Sequence, residues 1–373
     1  MCHYSSDDAI MILNALPKFG PIKIQKLIEY FHNDITKIFD NTFTSSLSHI
    51  LSKQDIEVLL HHKKFFDKNS EDKKLTALRG HFISILNDQY PELLKKIPDA
   101  PAGLYYVGKL KDHSKNIAIV GSRSNTIYGL KIARKLAMEL SIRGFSIVSG
   151  MARGIDAAAH EGAIAANGHT IAVLGNGLDI IYPQEHSDLY RKITEHGAII
   201  SEFPLGRRPD KQTFPIRNRI IAGLCHAVIV VESDNHGGSM ITARMAGEYG
   251  RHVFAVPGRI DDISSIGCLS LIKDGATMLT SIDDIFEELP YLDSTPQQTM
   301  LNFDIPTTQQ QTTIVCPIEK CIYEIINNNG TISVDNIIAS SGMPTIKVLQ
   351  SLQMLEIRKL IKKRYDGLFE IIK

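Results

Sequence analysis

Six short and almost wholly apolar runs, separated by helical stretches, constrain this sequence more than any other feature. The runs are IAIV at 117–120, FSIVS at 145–149, TIAVL at 170–174, GAIIS at 197–201, AVIVVE at 227–232 and HVFAV at 252–256. Strands that are apolar at nearly every position are buried on both faces, which is typical of a parallel sheet covered by helices. The sequence therefore predicts a doubly wound, mostly parallel α/β domain.

Smaller modules are predicted on both sides of this α/β core, which is assigned to residues 75–290. Residues 1–74 carry apolar side chains at helical spacing around the break LPKFGPIK, which indicates a small all-helical domain. The stretch 291–314 is rich in Pro, Gln and Thr without periodicity and is typical of a linker. Three helical stripes and a hairpin turning at Asp366 predict a winged helix over 315–373.

The overall charge does not indicate a function directly. Basic and acidic residues balance at 41 each, unlike the basic composition of many nucleic-acid-binding domains. Between positions 121 and 259, however, there are 16 Lys and Arg against 12 Asp and Glu, so cations are concentrated in the core. The sequence has no signal-peptide pattern and no apolar run of about 18 residues, so we expect a soluble, cytoplasmic protein with no membrane contact.

Polar turns follow the strands at the sheet edge where ligands of open α/β folds bind. Gly121, Ser122 and Arg123 follow the first run, and Gly150 and Arg153 follow the second. A helical stripe after the first turn would place it at a helix amino end, where unpaired N–H groups form an anion site. A tight strand-to-helix turn without a ligand explains the same residues. The dinucleotide fingerprint GxGxxG is absent from this turn, which argues against a nicotinamide cofactor.

A second polar cluster lies in the stretch DKQTFPIRNRIIAGL. Pro215 marks a helix start, which puts Arg217 and Arg219 in the first turns, where the helix dipole disfavours cations. A bound anion with several negative groups would compensate, whereas two solvated arginines leave the placement unexplained. Gly238 and Ser239 open another helix after the fifth apolar run. Several such turns along one edge predict a row of bound phosphates.

These segments resemble the DNA processing protein A family of bacteria, also called Smf. The similarity rests on IAIVGSRSNTIYG, SIVSGMARGIDAAAH, TIAVLGNGLDIIYPQEH, ISEFPLGRRPDKQTFPIRNRIIAG, GGSMITARMAGEYGRHVFAVPG and LIKDGA, in family order through most of the core. It implies an extended Rossmann-like core that dimerises and binds single-stranded DNA taken up in natural transformation. It also implies that the protein shields this DNA and helps to load the RecA recombinase, and that its N-terminal module is sterile-alpha-motif-like or helix-hairpin-helix.

The resemblance and the polar turns together indicate the residues of a single-strand site. The predicted DNA- and phosphate-binding residues are Gly121, Ser122, Arg123, Gly150, Arg153, Lys211, Phe214, Arg217, Asn218, Arg219, Gly238 and Ser239. Tyr128, Phe214 and Tyr249 could stack on bases, although core packing explains them as well. Two positions depart from the family pattern: Leu269 replaces the usual Asn before LI, and the stretch PKFGP lacks the usual Gly-hydrophobic-Gly turn.

An enzyme is the first alternative. A Rossmann-like protein that cleaves a nucleotide N-glycosidic bond needs an acid near the ribose, and Glu202 and Glu232 lie at strand ends, where they could also be polar caps. The PGGxGTxxE stretch of such enzymes is absent. Asp156 and His160 lack a third metal ligand, and no Walker sequence occurs, so we expect no metal, no cofactor and no catalysis.

A pure adaptor is the second alternative, because the predicted winged helix need not contact DNA. Its third helix offers Lys347 as its cation, while Lys362, Lys363 and Arg364 lie in the predicted wing. The sequence leaves protein contact and DNA contact by this domain open. For the whole chain it favours a protein that binds single-stranded DNA and is not an enzyme.

Overall fold

The computed structural model describes residues 4–39, 46–110, 115–292, 317–357, 360–364 and 368–371. Contacts divide the chain into two compact units, Met1–Gln297 and Gln298–Lys373. The predicted hairpin turn at Asp366 and most of the predicted linker lie outside the described residues.

The larger unit contains a nine-stranded sheet and the helices that cover it. In chain order the elements are α1 (Ser6–Ala15), α2 (Pro21–Tyr30), α3 (Lys53–Leu60), α4 (His62–Phe65), α5 (Lys68–Ala77), β1 (Gly80–Ser84), α6 (Glu92–Lys95), β2 (Gly103–Gly108), β3 (Asn116–Val120), α7 (Ile127–Ile142), β4 (Ser146–Ser149), α8 (Ile155–Ala165), β5 (Thr170–Leu174), α9 (Ser187–His196), β6 (Ala198–Ser201), α10 (Thr213–Gly223), β7 (Ala227–Val230), α11 (Gly238–Glu248), β8 (His252–Ala255), α12 (Ile263–Lys273), β9 (Thr277–Met278) and α13 (Asp283–Glu288).

The strand order of this sheet is β1-β2-β6-β5-β4-β3-β7-β8-β9. The pairs β1 with β2 and β2 with β6 are antiparallel, and the remaining neighbours are parallel. From β3 the chain first builds β4, β5 and β6 on one side and then adds β7 and β8 on the other, so the order reverses between β3 and β7. The predicted doubly wound, mostly parallel sheet is confirmed, and β3 to β8 are the six apolar runs.

The antiparallel edge formed by β1 and β2 was not predicted. In β1 the first three residues are half-buried or exposed, and the strand combines Gly80 and His81 with apolar residues. A strand at a sheet edge is covered incompletely, so its sequence lacks the continuous apolar run that identified the central strands.

Alternate residues of the central strands enter two separate cores. Ile117 and Ile119 of β3 pack with residues of α7 and α8 on one face. Ala118 and Val120 pack on the opposite face in a core that includes residues of α10, α11 and α1. Successive side chains of a strand point to opposite faces, so both faces of a central strand must be apolar here.

The N-terminal helices share a core with the sheet. Ile10 and Leu13 of α1 belong to the same buried cluster as Val120 of β3, and Met11 packs in a third cluster with Ile199 of β6. An all-helical N-terminal domain that ends at residue 74 stays a prediction.

The smaller unit has its own apolar core. Its described elements are α14 (Pro317–Asn329), β10 (Thr331–Ile332), α15 (Val334–Ser341), α16 (Thr345–Ile357), β11 (Ile361–Lys363) and β12 (Phe369–Ile371). The strands form an antiparallel sheet in the order β10-β12-β11, and the helices pack around Ile322, Ile337 and Leu352. The elements follow the order of the predicted winged helix, which stays a prediction. Across the parts of the chain described in both units, no helix is long and apolar enough to cross a bilayer.

His160 is a buried ionisable residue between α8 and the sheet. Its Nδ1 lies 2.7 Å from the Thr170 hydroxyl, which itself donates to the Ile147 carbonyl oxygen at 2.7 Å. The hydroxyl proton is therefore already used, so Nδ1–H is the donor of the first contact. Nε2 has no hydrogen-bond partner among the described residues. Burial, reinforced by the charge of Arg217, lowers the pKa of His160 to about 3.

This buried histidine makes stability depend on pH. The unfolded chain binds a proton at His160 below about pH 6.5, whereas the folded protein does so only near pH 3. The contribution to stability is complete above pH 6.5 and is lost as the pH falls through the unfolded pKa. We expect the loss in the free energy of unfolding between pH 7.5 and pH 5 to be roughly 2 kcal/mol larger in wild type than in a variant without this histidine. Urea unfolding of wild type and of His160→Gln at both pH values checks this, and an equal loss in both proteins would contradict it.

Candidate nucleic-acid interface

A cleft of about 400 Å³ opens beyond the carboxyl ends of β3 and β7, where the strand order reverses. Loops that follow these two strands lead to opposite faces of the sheet, and the space between them is where open α/β sheets bind ligands. Among the predicted site residues, those that line this cleft are Gly121, Ser122, Arg123, Lys211, Phe214, Arg217, Asn218, Gly238 and Ser239.

The amino end of α7 is occupied by a side chain of the protein itself. The helix begins at Ile127 with Thr126 as its N-cap, and the Thr126 N–H donates to Glu232 Oε2 at 2.9 Å. The Thr126 hydroxyl donates to Glu232 Oε1. Gly129 is needed in the first turn because a Cβ there would overlap the Glu232 carboxylate. The expected anion site at this helix end is therefore corrected: Glu232 is the anion.

The start of α10 also differs from the expectation. The helix begins at Thr213, two residues before Pro215, and the Asp210 carboxylate accepts from the Gln212 N–H at 2.7 Å and from the Thr213 N–H at 3.0 Å. Arg217 lies in the second turn, and Asp210 supplies the negative charge that the helix dipole favours. The helix dipole therefore needs no bound anion at this end, because Asp210 is already there.

The amino end of α11 is the one that remains open to a ligand. Its N-cap is Gly237, no side chain caps it, and its first turn holds no acidic residue. Gly238 is exposed at the cleft, and its carbonyl accepts from Asn218 Nδ2 at 3.1 Å. The Ser239 hydroxyl donates to Ser233 Oγ at 2.8 Å, which fixes the first turn. Backbone N–H groups at such an end bind phosphate without a further charged residue.

Arg217 lies in the wall of the cleft with its guanidinium incompletely bonded. The residue is 4% exposed, and Nη1 donates to the Val173 carbonyl oxygen at 2.9 Å. Nε has no partner, and no salt bridge reaches this residue within the part of the chain described. Burial lowers the pKa of Arg217, and the negative charge of Asp156 opposes this shift. Gly150 leaves the space for the guanidinium, since a Cβ at that position would overlap Nη1.

Two exposed cations and one aromatic ring complete the cleft. The Arg123 guanidinium lies 5.1 Å from the centre of the Phe214 ring, and that of Arg217 lies 5.9 Å from it. Tyr182 lies 5.8 Å from the same ring, centre to centre. Arg123 and Lys211 are exposed, and neither forms a salt bridge with another described residue. This arrangement brings cations that can bind anions close to an apolar ring.

Three predicted site residues lie outside the main cleft. Gly150 and Arg153 line an adjoining hollow beyond Phe214, and Arg153 Nε lies 2.5 Å from Glu185 Oε1 in an exposed ion pair. Arg219 does not reach the cleft, because its guanidinium is buried against Glu202 and Asp99. Its expected role as a phosphate ligand is therefore corrected to a structural one.

Two other candidate residues, which are both aromatic, do not line the cleft. Tyr128 is 53% exposed on α7 but does not line the cleft. The Tyr249 hydroxyl donates to Asp99 Oδ1 at 2.8 Å, so Tyr249 has a structural contact.

The described residues contain no group of three His, Cys, Asp or Glu side chains that could hold a metal. Leu269 is half-buried on α12 and does not line the cleft.

Asp156 is the residue of the cleft whose role was missed. Its carboxylate accepts from the Gly150 N–H at 3.1 Å and lines the cleft. Burial raises the pKa of Asp156, an effect that Arg217 opposes. The loop residues Ser124 and Asp234 also line the cleft. The polar turns that contain them were the available signal.

The two acids of the enzyme alternative are both engaged in structural contacts. Glu232 caps α7, and Glu202 binds Arg219. Neither lines the cleft. Their positions match the polar-cap explanation better than that of a catalytic acid beside a ligand.

Comparisons with known proteins agree with this fold. Residues 81–290 match the family described as DNA recombination-mediator protein A. Protein Smf of Escherichia coli is 40% identical over 285 residues, which are 74% of this chain and 74% of that protein. Protein Smf of Synechocystis is 43% identical over 232 residues, 60% of this chain and 58% of that protein.

Two solved structures are similar as well. DNA processing protein A from Streptococcus pneumoniae has 37% sequence identity and a TM-score of 0.67, covering 76% of this chain and 98% of its own. That of Helicobacter pylori, described for its single-stranded DNA binding mode, has 32% identity and a TM-score of 0.52, covering 57% of this chain and 96% of its own. The family match extends over more than half of this chain, and Protein Smf of Escherichia coli aligns over nearly three quarters of it. The chain therefore belongs to the DNA recombination-mediator protein A family, whose members are named Smf or DprA.

Proposed function

We propose that this protein binds single-stranded DNA in the cleft between β3 and β7, without sequence readout and without catalysis. The observation that carries the proposal is Arg217, a buried cation without a salt-bridge partner among the described residues, which lines the cleft near the open amino end of α11. A buried guanidinium without a counter-charge is unfavourable, and a phosphate would supply that charge. The single-strand binding described for the Helicobacter pylori relative supports the same ligand.

The chemistry of the cleft suits a flexible polyanion. Arg123, Lys211 and Arg217 would neutralise phosphates, while the N–H groups of Gly238 and Ser239 would donate to phosphate oxygens. The Phe214 ring would stack on a base, which any base permits because each has a π face. A duplex keeps its bases stacked inside, so this ring favours single strands.

The wider role is proposed from the family resemblance. In this proposal the protein acts in the cytoplasm as a homodimer joined through its Rossmann-like core, shields DNA that enters during natural transformation, and loads the RecA recombinase. The core is assigned to 75–290, and its neighbours are a helical module at 1–74, a linker at 291–314 and a winged helix at 315–373.

Loss of the exposed cations should weaken single-strand binding. For Arg123→Ala and Lys211→Ala we expect each dissociation constant for oligo-dT to rise on the order of tenfold, as for a lost charged hydrogen bond. The slope of log affinity against log salt should fall by about 0.7 for each phosphate contact removed. Fluorescence anisotropy over a salt series measures both quantities.

Arg134→Ala is the matched control for these variants. Arg134 is an exposed arginine that pairs with Glu161 on helices outside the cleft, so its removal changes the net charge equally. Its affinity and salt slope should equal those of wild type. Equal losses in all three variants would mean a general charge effect and no specific site in the cleft.

A methyl group at the open helix end should block the phosphate without harming the fold. No atom lies within 4 Å of the position where a Cβ would be at Gly238 or at Gly247, and both lie on α11. Gly247→Ala should leave binding unchanged and stabilise the helix by about 0.5–1 kcal/mol. Gly238→Ala should weaken oligo-dT binding severalfold at unchanged melting temperature. Equal affinities for the two variants would exclude close phosphate contact at α11.

The C-terminal unit should contribute little to single-strand affinity. The described residues that line the cleft all lie between Val120 and Thr242, and α16 exposes the apolar side chains of Ile346 and Leu349. We expect a chain that ends at residue 314 to bind oligo-dT within about twofold of the full chain, because phosphate contacts dominate such affinity. A large loss measured by anisotropy would assign a DNA-binding role to the deleted residues.

A further inference from the structure

Arg219 is the centre of a buried polar network behind α10. Its Nη2 lies 2.5 Å from Glu202 Oε1 and also contacts Oε2, and both side chains are less than a tenth exposed. Nη1 donates to the Asp99 carbonyl oxygen, and Nε lies 3.7 Å from Asp99 Oδ2. Three segments, the loop before β2, the end of β6 and α10, are held together by one guanidinium.

The network reaches the N-terminal helices as well. Asn14 of α1 donates from Nδ2 to the Glu202 backbone oxygen at 2.7 Å, across 188 positions of sequence. Tyr249, at the carboxyl end of α11, donates to Asp99 Oδ1 at 2.8 Å. The Asn14 hydrogen bond therefore fixes the segment that bears Glu202 to α1, and the Tyr249 hydrogen bond connects α11 to the same network.

The geometry of α10 connects this network to the cleft. Residues two apart on a helix point in directions about 200° apart, so Arg219 and Arg217 lie on nearly opposite sides of α10. Arg217 and Phe214 line the cleft, while Arg219 is fixed behind the helix. Asn218 then binds the Gly238 carbonyl at the start of α11. Rotation of α10 about its axis would move the cleft residues, and the bonds of Arg219 oppose that rotation.

We propose that Arg219 and Glu202 are positioning residues for the DNA-binding cleft, with Asn14 of the N-terminal helices as their support. The proposal rests on the proposed single-strand binding by the cleft. In it, the buried ion pair fixes α10 so that the Arg217 guanidinium stays in the wall of the cleft, and the N-terminal helices affect DNA affinity without touching DNA. Arg219 itself contacts no phosphate.

A double-mutant cycle tests the proposal through oligo-dT affinity. Glu202→Gln keeps the shape of the side chain but removes its charge, and we expect the dissociation constant to rise on the order of tenfold. In the Arg217→Ala background the same change should have a clearly smaller effect, because Arg217 is gone and Phe214 remains as a cleft residue positioned by α10. Asn14→Ala, a milder change that leaves the ion pair intact, should weaken binding about threefold in wild type and by less in Arg217→Ala.

Glu161→Gln is the matched control, since it removes an equal charge from an exposed ion pair with Arg134. It should bind as wild type, and thermal unfolding of each variant establishes that it is folded. Wild-type affinity in both folded Glu202→Gln and Asn14→Ala would overturn the positioning role. A loss of oligo-dT affinity that is equal with and without Arg217 would also overturn it. Tighter binding by Glu202→Gln would overturn it too, because it would mean that a released Arg219 contacts DNA. If Glu202→Gln does not fold, the Asn14→Ala cycle decides alone.

The proposed function fails in a different way. Wild-type protein that binds no oligo-dT at low salt would overturn single-strand binding, and with it the positioning role. Wild-type binding with a flat double-mutant cycle would overturn the positioning role alone.

Discussion

The reversal of strand order between β3 and β7 is the constraint on which the rest of this structure depends. The two strands pair in parallel, yet the helix after β3 packs in one core and the helix after β7 packs in the other. Their connecting loops must therefore separate at the sheet edge. The loops are joined at Glu232, whose carbonyl oxygen accepts from the Ser122 N–H at 2.7 Å and whose carboxylate accepts from the Thr126 N–H at 2.9 Å. A cleft between them follows from topology before any side chain is considered.

An anion can bind only at a helix amino end that no carboxylate of the protein already occupies. The helices α7, α10 and α11 begin near the cleft, and each offers unpaired N–H groups. Glu232 satisfies α7, Asp210 satisfies α10, and α11 has no acidic side chain in its first turn. The protein thus uses its own carboxylates to complete two of the ends. What remains for a ligand is one helix end together with the cations of the cleft wall.

The sequence predicted the sheet well because buried parallel strands have a continuous apolar pattern, and all six such runs formed strands. It predicted which polar turns meet at the cleft for the same reason, since the turns follow those strands. Partners of individual side chains were not predictable. Arg217 and Arg219 are two residues apart and chemically identical, yet one lies at the cleft and the other is buried against Glu202, which is distant in sequence. Only the three-dimensional arrangement of β6 and α10 distinguishes them.

The incompletely bonded guanidinium of Arg217 has a thermodynamic consequence. Its removal from water takes place when the chain folds, and its side chain is already held by the Val173 carbonyl. Binding an anion would therefore require little further ordering or dehydration of this group, while supplying a counter-charge to a guanidinium that has no salt bridge within the described residues. An anion bound here would stabilise the folded protein by linkage. Selection for a robust empty fold and selection for tight binding oppose each other at this position.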